Sequence, residues 1–238
     1  MVDFHTHILP GIDDGSANTT VSIEMLKQLK TQGVDRVVAT PHFYMSSGSI
    51  EKFLQCRNKV AIEVIEAARK ESEPLPKIAL GAEVLMYPGI GGMEELPRLC
   101  IEGTRYMLLE MPFVEWSNIT YTTVDKICTM GITPIIAHFE RYINVQGDRS
   151  FLYELIDMGC LIQTNAEYVN SLKTSRKALK HISEGHVHIV GSDCHNLTDR
   201  KPNIGKAYEK IEKKLGRGEI RNLRNIVDMV LEDAEFLV

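Results

Sequence analysis

Short apolar runs rich in β-branched residues alternate along the chain with longer amphipathic stretches, a pattern typical of repeating βα units. The periodicity predicts helices at Thr20–Gln32 and Ser49–Glu71, and one or two closing amphipathic helices within Ile220–Leu237. Seven short runs predict strands: Val2–His5, Arg36–Thr40, Ile78–Glu83, Tyr106–Glu110, Pro134–His138, Leu161–Asn165 and His188–Asp193.

Seven parallel strands joined by crossover helices predict an α/β fold, an irregular TIM-like (β/α)7 barrel without an eighth strand. Stretches rich in Gly and Pro, such as Tyr87–Met93, are short and are interpreted as βα loops. No domain boundary is therefore expected, and residues 1–238 are predicted to form a single domain. In barrels of this kind the active site lies at the C-terminal ends of the strands.

Composition narrows the function classes. The chain has 238 residues, 25% of them charged, and a net charge of −5 without a basic stripe, which argues against a nucleic-acid groove. The N-terminus lacks the features of a signal peptide, and no apolar window approaches the roughly 18 residues that span a bilayer. The five cysteines are odd in number and lack CxxC spacing, which favours a reducing compartment. A cytoplasmic protein without membrane insertion is expected.

Histidines and carboxylates collect where the predicted strands end. In a strand, side chains alternate between two faces, so His5 and His7 point the same way, as do Asp193 and His195, while Cys194 points the opposite way. Asp14 follows the first strand in a loop bounded by glycines. The nine candidates for metal ligation are His5, His7, Asp14, His42, Glu83, Glu110, His138, Asp193 and His195.

Each of these signals is weak alone, but together they indicate metal ions. Several charged groups at the ends of apolar strands would repel one another without cations. Five neutral imidazoles and four carboxylates carry a charge of −4, so three divalent ions would leave the cluster at +2, which suits a phosphate dianion. Nitrogen and oxygen ligands without sulfur favour Mn²⁺, Fe or Zn²⁺ over Ca²⁺ or Mg²⁺ alone.

The motifs DFHTHILPGIDDG, ATPH, GAE, LLE, AHFERY and SDCHN, in this order, resemble those of the PHP superfamily (polymerase and histidinol phosphatase). They are more closely similar to its manganese-dependent bacterial protein-tyrosine phosphatases, which accompany capsule and exopolysaccharide assembly. The similarity runs from residue 1 to about residue 210. It departs from the family pattern at Phe139, where relatives often have Pro.

The resemblance implies a distorted seven-stranded barrel of PHP type with three divalent ions, in the first place Mn²⁺. It also implies that Arg141 binds phosphate, that the substrate is a phosphotyrosine-containing protein such as a bacterial tyrosine kinase, and that a homo-oligomer can form. The implied ligand sets are His5, His7, Glu83 and Asp193 for one ion; Glu83, as a bridge, with Glu110 and His138 for a second; and Asp14, His42 and His195 for a third.

The expected reaction is hydrolysis of a phosphomonoester by water that the metal ions activate. The guanidinium of Arg141 would bind two phosphoryl oxygens. A tyrosinate leaving group has a pKa of roughly 10, so no strong general acid is required. Asp13 is the nearest candidate for an acid, although a turn aspartate is the simpler interpretation. Four loop aromatic residues are candidates for contact with the phenyl ring: Phe43, Tyr44, Tyr87 and Trp116.

Several alternatives stay open. Arg141 could instead pair with Glu140. The function could be that of another PHP enzyme, a histidinol-phosphate phosphatase or a nuclease, or that of an amidohydrolase. Cys194 and Arg200 fit the CxxxxxR signature of cysteine-dependent phosphatases, but the segment between them has no glycine to cradle phosphate. A non-catalytic metal-binding barrel is the last alternative. The remaining histidines are interpreted as surface or structural residues: His181, His186 and His188.

Overall fold

The computed structural model describes residues 1–147 and 150–237. Its strands are β1 Val2–Thr6, β2 Arg36–Ala39, β3 His42–Phe43, β4 Lys77–Leu80, β5 Glu83–Leu85, β6 Tyr106–Glu110, β7 Thr133–Ile136, β8 Leu161–Asn165, β9 Ile189–Gly191 and β10 Phe236–Leu237. Its α-helices are α1 Thr19–Thr31, α2 Ile50–Ala68, α3 Asn118–Thr129, α4 Ser150–Asp157, α5 Ala166–Asn170, α6 Ser175–Ser183, α7 Ile204–Leu215 and α8 Arg217–Val230.

The fold is α/β, with parallel strands arranged in two sheets. One sheet has the strand order β1-β2-β4-β10, and the other has the order β3-β5-β6-β7-β8-β9. Every neighbouring pair is parallel except β4 and β10. All seven predicted strands are present in the structure within a few residues of the expected bounds.

Two of the predicted strands are each divided into two pieces. The second continues from β2 into β3 across Thr40 and Pro41, and the third continues from β4 into β5 across Gly81 and Ala82. Pro41 has no backbone N–H to donate, so the regular hydrogen-bond pattern is interrupted at the first of these breaks. The pieces before each break pair in one sheet and the pieces after it pair in the other.

The chain beyond β9 returns to β1. The backbone N–H of Asp193 donates to the carbonyl of His5 at 2.8 Å, and that of His7 donates to the carbonyl of Cys194 at 2.9 Å. Thr6 and Cys194 also form an isolated parallel bridge. These contacts bring the first and last of the parallel strands side by side, with their candidate ligands adjacent.

The prediction for Ile220–Leu237 was wrong at its C-terminal end. α8 stops at Val230, and Phe236–Leu237 instead forms β10, which pairs antiparallel with β4. A run as short as Phe236–Leu237 carries no helical period of its own. The free edge of β4 supplies partners that the local sequence does not reveal.

Side chains on the central strands alternate between two apolar clusters. Met107 and Leu109 belong to the larger cluster and Leu108 to the smaller, which Val227 and Val230 of α8 help to form. This packing fixes the strands in register, so that His42 lies beside Glu83 and Glu83 beside Leu108. Among the described residues, no helix has the length and apolar character needed to cross a bilayer.

Candidate metal centre

The structure brings all nine predicted ligand side chains together at the C-terminal ends of the strands. Four of them meet most closely: His5 and His7 from β1 and the segment after it, Glu83 at the start of β5, and Asp193 after β9. All four are at most 4% exposed. Their surroundings are protein atoms rather than bulk water, so their mutual distances are set by the fold.

The ligand atoms of these four residues gather around the Nε2 atoms of His5 and His7. His5 Nε2 lies 3.1 Å from His7 Nε2 and 3.1 Å from Glu83 Oε2. His7 Nε2 lies 3.3 Å from Glu83 Oε2, and both imidazole nitrogens lie 3.5 Å from Asp193 Oδ1. Two nitrogen or oxygen ligands that share one Zn²⁺-like ion at about 2.0–2.1 Å lie roughly 3.3 Å apart in tetrahedral coordination, and these five distances of 3.1–3.5 Å have that spacing.

A second group shares Glu83 with the first. The other carboxylate oxygen of Glu83, Oε1, lies 2.8 Å from His138 Nε2, and Glu110 Oε1 lies 3.6 Å from the same nitrogen. His42, Glu83 and Glu110 also present ligand atoms within 4.8 Å of one another. Glu83 is therefore placed so that its two oxygens face different groups.

A third group lies on the solvent side of the cluster. Asp14 Oδ1 lies 3.3 Å from His195 Nε2 and 3.5 Å from His42 Nε2. These three residues and His7 have ligand atoms within 4.8 Å of one another. The side chain of Asp14 is 66% exposed, in contrast to the buried residues of the first group.

Four of the histidines have a partner for the ring nitrogen that faces away from the cluster: His5, His7, His138 and His195. His5 Nδ1 lies 3.3 Å from Gln163 Oε1, and His138 Nδ1 lies 3.2 Å from the Tyr142 hydroxyl. His195 Nδ1 lies 3.0 Å from the carbonyl of Asp193. With Nδ1 as the donor in each pair, Nε2 carries a lone pair directed into the cluster, as metal-binding histidines require.

Asp13 performs this role for His7 and is not an acid available to a substrate. Its Oδ2 lies 2.7 Å from His7 Nδ1 and accepts from the backbone N–H of His42, while Oδ1 accepts from the N–H of Gly15. Burial would raise the pKa of Asp13, but its hydrogen bonds and the charge of His7 lower it to about 2. The residue is thus both a turn aspartate and a positioning group for His7.

The electrostatics and unsatisfied atoms of the cluster fit divalent cations. Burial would raise the pKa of Glu83, but the adjacent histidines hold it well below its usual value, so the carboxylate is ionised. Burial and the charge of Glu83 together raise the pKa of Glu110. Three buried atoms that face the cluster form no well-aligned hydrogen bond among the described residues, although charged neighbours lie within 3.3 Å of each: His42 Nδ1, Glu83 Oε2 and His195 Nε2. Buried polar atoms of this kind are expected to have partners, and a cation would supply them.

Two arginines form ion pairs with Asp193. Arg141 Nη2 lies 2.5 Å from Asp193 Oδ2, and Arg200 Nη2 lies 2.6 Å from Oδ1. Arg200 Nη1 also lies 3.6 Å from Asp14 Oδ2. Both guanidinium groups are about one-third exposed, so they border the open side of the cluster. Arg141 does not pair with Glu140, whose carboxylate accepts from Thr164 and the N–H of Asn165.

The segment from residue 1 to residue 229 matches the profile of a protein family described as capsular polysaccharide synthesis, CpsB/CapC. The chain belongs to the CpsB/CapC family. It is 32% identical to the tyrosine-protein phosphatase CpsB of Streptococcus pneumoniae, over 94% of each chain. It is 28% identical to the tyrosine-protein phosphatase YwqE of Bacillus subtilis, over 100% of this chain and 91% of that one.

Solved structures agree with the family assignment. One chain, from crystal structures of YwqE from Bacillus subtilis and CpsB from Streptococcus pneumoniae described as unique metal-dependent tyrosine phosphatases, superposes with a TM-score of 0.85 at 25% identity. The match covers 99% of this chain and 96% of that one. A putative histidinol phosphatase from Listeria monocytogenes shares only the fold, with a TM-score of 0.50 at 13% identity over 88% and 99% of the chains.

Arg200 was absent from the predicted site of this CpsB/CapC chain. It is brought back onto Asp193 by a tight loop, in which the N–H groups of His195 and Asn196 donate to the carbonyl of Arg200. The side chain of Asn196 accepts from the N–H groups of Thr198 and Arg200 and holds the loop closed. The sequence signal was the segment NLTDR directly after the candidate ligands Asp193 and His195, with a turn-forming asparagine before the arginine.

Two proposed ligands adopt a left-handed backbone conformation that is uncommon outside glycine. His138 has φ of 33° and Asp193 has φ of 56°. Both follow the end of a strand, where this conformation turns the side chain toward the cluster. Such a backbone costs on the order of 1 kcal/mol or more and is typical of functional sites.

Cys194 cannot act as the nucleophile of a cysteine-dependent phosphatase in this conformation. The residue is 0% exposed and packs within the larger apolar cluster. Burial raises the pKa of its thiol well above the ordinary value. The arginine of its CxxxxxR match, Arg200, contacts Asp193 instead.

Only one of the four candidate aromatic residues has its ring stacked against the cluster. Phe43 and Trp116 are buried, and the hydroxyl of the partly exposed Tyr87 bonds Met93. Tyr44 stacks on His42 with ring centroids 5.1 Å apart. A residue outside the prediction, Phe113, is 51% exposed and lies parallel to His138 with centroids 6.3 Å apart.

Proposed function

We propose that this chain is a metal-dependent protein-tyrosine phosphatase that acts in capsule or exopolysaccharide regulation. The names of its relatives support the reaction and the process. The observation that carries the proposal is the close approach of Glu83 and Asp193 to the Nε2 atoms of His5 and His7, beside two arginines. A cluster of cations bordered by guanidinium groups is built to bind a phosphate dianion.

We propose three divalent ions, with Mn²⁺ first and Fe or Zn²⁺ as alternatives. The first would be held by His5, His7, Glu83 and Asp193, and the second by Glu83, Glu110 and His138. The third would be held by Asp14, His42 and His195. The mixed nitrogen and oxygen donors and the buried unsatisfied atoms support this arrangement. When bound, such ions neutralise phosphate charge and lower the pKa of water so that it attacks near neutral pH.

The arginines orient the phosphoryl group. Arg141 and Arg200 contact the two oxygens of Asp193 and are about one-third exposed, so each would present guanidinium N–H groups to a phosphoryl group bound beside Asp193. A planar guanidinium makes paired hydrogen bonds that fix the phosphorus in line with the attacking water. Asn165 donates to Asp193 Oδ2 at 2.8 Å and keeps that carboxylate in place.

Tyr44 and Phe113 would bind the phenyl ring of the substrate. Their rings stack on His42 and His138, which belong to different groups of the cluster, so they stand on two sides of the opening. The phenolate leaves with a pKa of roughly 10 and does not require a strong acid. Asp13, the acid suggested by the sequence, is committed to His7.

The finer architecture is also part of the proposal. The parallel strands are best counted as seven, with β2 and β3 as one broken strand and β4 and β5 as another. The contacts of Asp193 and Cys194 with β1 would close the barrel. Residues 1–238 would form one phosphatase domain in the cytoplasm. Its phosphoprotein substrate would be a bacterial tyrosine kinase, and homo-oligomers could form.

The proposal is tested by assaying one preparation on three substrates: a phosphotyrosine peptide, the matching phosphoserine peptide and histidinol phosphate. We expect phosphotyrosine to be preferred, a chelator to abolish activity and Mn²⁺ to restore it. Thiol alkylation and Cys194→Ser should leave activity largely intact. Preference for histidinol phosphate would instead indicate a histidinol-phosphate phosphatase. Inactivation by alkylation but not by chelation would overturn the metal mechanism.

A further inference from the structure

A second cluster of potential ligands lies apart from the catalytic one. His181, Glu184 and His186 present ligand atoms within 4.8 Å of one another. We propose that this cluster, here called the helix-end site, binds one further divalent cation of the Zn²⁺ class. The inference concerns residues that the phosphatase mechanism does not use.

The backbone places two of the imidazoles against each other. α6 ends at Ser183 with Glu184 as its cap, and Gly185 follows with φ of 73°. The N–H of Gly185 donates to the carbonyl of Ile182 at 3.0 Å, and that of His186 donates to the carbonyl of His181 at 2.9 Å. This is the Schellman motif, which normally brings two apolar side chains into contact across the helix end.

Here the two positions of that contact are His181 and His186. Their ring centroids lie 5.7 Å apart, and His186 Nδ1 lies 3.5 Å from Glu184 Oε2. Tetrahedral coordination with bonds of about 2.0–2.1 Å has edges of roughly 3.3 Å, which is near the distance between His186 and Glu184, and His181 has a nitrogen within 4.8 Å of the ligand atoms of both. The motif thus supplies two nitrogens and one carboxylate oxygen at one point on the surface.

Burial and charge favour a cation at this point. His181 is 1% exposed, whereas Glu184 is 38% exposed on its side chain. A bound ion would therefore have protein ligands on its inner side and an open position for water on its outer side. The C-terminal end of a helix carries partial negative charge, which adds to the attraction for a cation. Two imidazoles and a carboxylate are a ligand set that suits Zn²⁺.

The simpler interpretation is a surface ion pair. Glu184 lies 3.5 Å from Lys180 as well as from His186, and such exposed pairs are common and weak. An ion pair of that kind does not require the buried ring of His181 to face the same point. The convergence of all three ligand atoms distinguishes the helix-end site from a pair of surface charges.

The helix-end site also touches the catalytic turn. The ring of Phe139 meets the ring of His181 edge-on, with centroids 5.1 Å apart. Phe139 is fully buried and lies between His138 and Arg141 in sequence. An ion that fixes His181 would therefore support the turn that carries a proposed ligand and a proposed phosphate-binding residue. Its role would be structural, and the ion would not contact substrate.

The test compares wild type with Glu184→Gln, His186→Gln and, as the matched control on the same helix turn, Lys180→Gln. Each protein is stripped with a chelator, saturated with Zn²⁺ and desalted, and its ions per chain are counted by mass spectrometry. Anomalous diffraction at the zinc edge locates them in crystals. We expect Glu184→Gln and His186→Gln to hold one ion fewer than wild type, and Lys180→Gln to hold the same number.

A zinc peak between His181, Glu184 and His186 that is absent from His186→Gln would confirm the helix-end site. Equal ion counts in wild type, Glu184→Gln and His186→Gln, with no zinc peak at that position, would overturn it. The comparison is independent of the phosphatase proposal. If the catalytic cluster bound no ions, wild type and Lys180→Gln would hold one ion, and Glu184→Gln and His186→Gln would hold none.

Discussion

The two sides of the catalytic cluster are built in different ways. On the inner side, His5, His7 and Asp193 are at most 4% exposed, come from strands or strand ends, and have partners that orient them. On the outer side, Asp14 comes from a loop, is 66% exposed, and forms ion pairs with His42, His195 and Arg200.

The difference indicates unequal preorganisation. An inner ion would enter a cage whose geometry the strands already hold, whereas an outer ion would also have to order an exposed side chain. Ordering a free side chain has an entropic cost that lowers affinity. We therefore expect the inner positions to bind tightly and exchange slowly, and the outer position to bind weakly and exchange fast.

The largest effect is expected on the inner side. His5→Ala should remove one proposed nitrogen ligand and lower kcat/KM by a thousandfold or more, since Lewis-acid catalysis contributes several kcal/mol to transition-state stabilisation. Metal content should fall with activity in the same preparation. Circular dichroism on the same sample checks that the fold is retained. A His5→Ala protein with full metal content would mean that the inner side is not the principal binding position.

The two arginines should separate binding of phosphate from binding of metal. Arg141→Ala and Arg200→Ala should each lower kcat/KM by roughly a hundredfold, the loss of one preorganised donor, while ion counts stay at the wild-type level. Arg141→Lys should recover only part, because an ammonium cannot make the paired contact. A fully active Arg141→Ala enzyme with intact metals would mean that Arg141 only pairs with Asp193 and does not bind phosphate.

The sequence predicted much of this site because period-two alternation and strand ends are local features. His5 and His7 could be paired from spacing alone, and all nine candidates do meet in the structure. The orienting residues could not be found in this way. Gln163 is 158 residues from His5, and nothing in the sequence near either residue specifies their contact.

The breaks in the fold were missed for a related reason. A proline after β2 indicates an irregularity, but not that β2 and β3 would pair in different sheets. β10 forms because β4 has an edge to offer, which is a property of the assembled sheet. Local pattern sets the type of most elements, and tertiary pairing decides where they end.

The outer side should respond less steeply than the inner one. Asp14→Ala should lose one ion per chain at low Mn²⁺ and lower activity by roughly tenfold to a hundredfold, with recovery as the Mn²⁺ concentration is raised. The inner histidines remain in place, so two ions should stay bound after desalting. Metal counts before and after desalting measure this directly. Simultaneous loss of all ions would show that the two sides bind ions as one unit and do not differ in preorganisation.

The smallest effect is expected at Tyr142, which orients an inner ligand without touching an ion. Its hydroxyl accepts from the N–H of Met111 at 3.0 Å and lies 3.2 Å from His138 Nδ1. If Nδ1 donates to it, Nε2 presents a lone pair between Glu83 and Glu110, which is the state that binds a cation.

Tyr142→Phe keeps the ring that packs against Phe113 and Trp116, so the fold should be unchanged. Loss of such an orienting partner lowers metal affinity by about tenfold or somewhat more. Titration of Mn²⁺ against activity should therefore show a higher half-saturating concentration with nearly the wild-type maximal rate. An unchanged half-saturating concentration would mean that packing alone fixes His138, and that the inner side owes its order to the strands rather than to these hydrogen bonds.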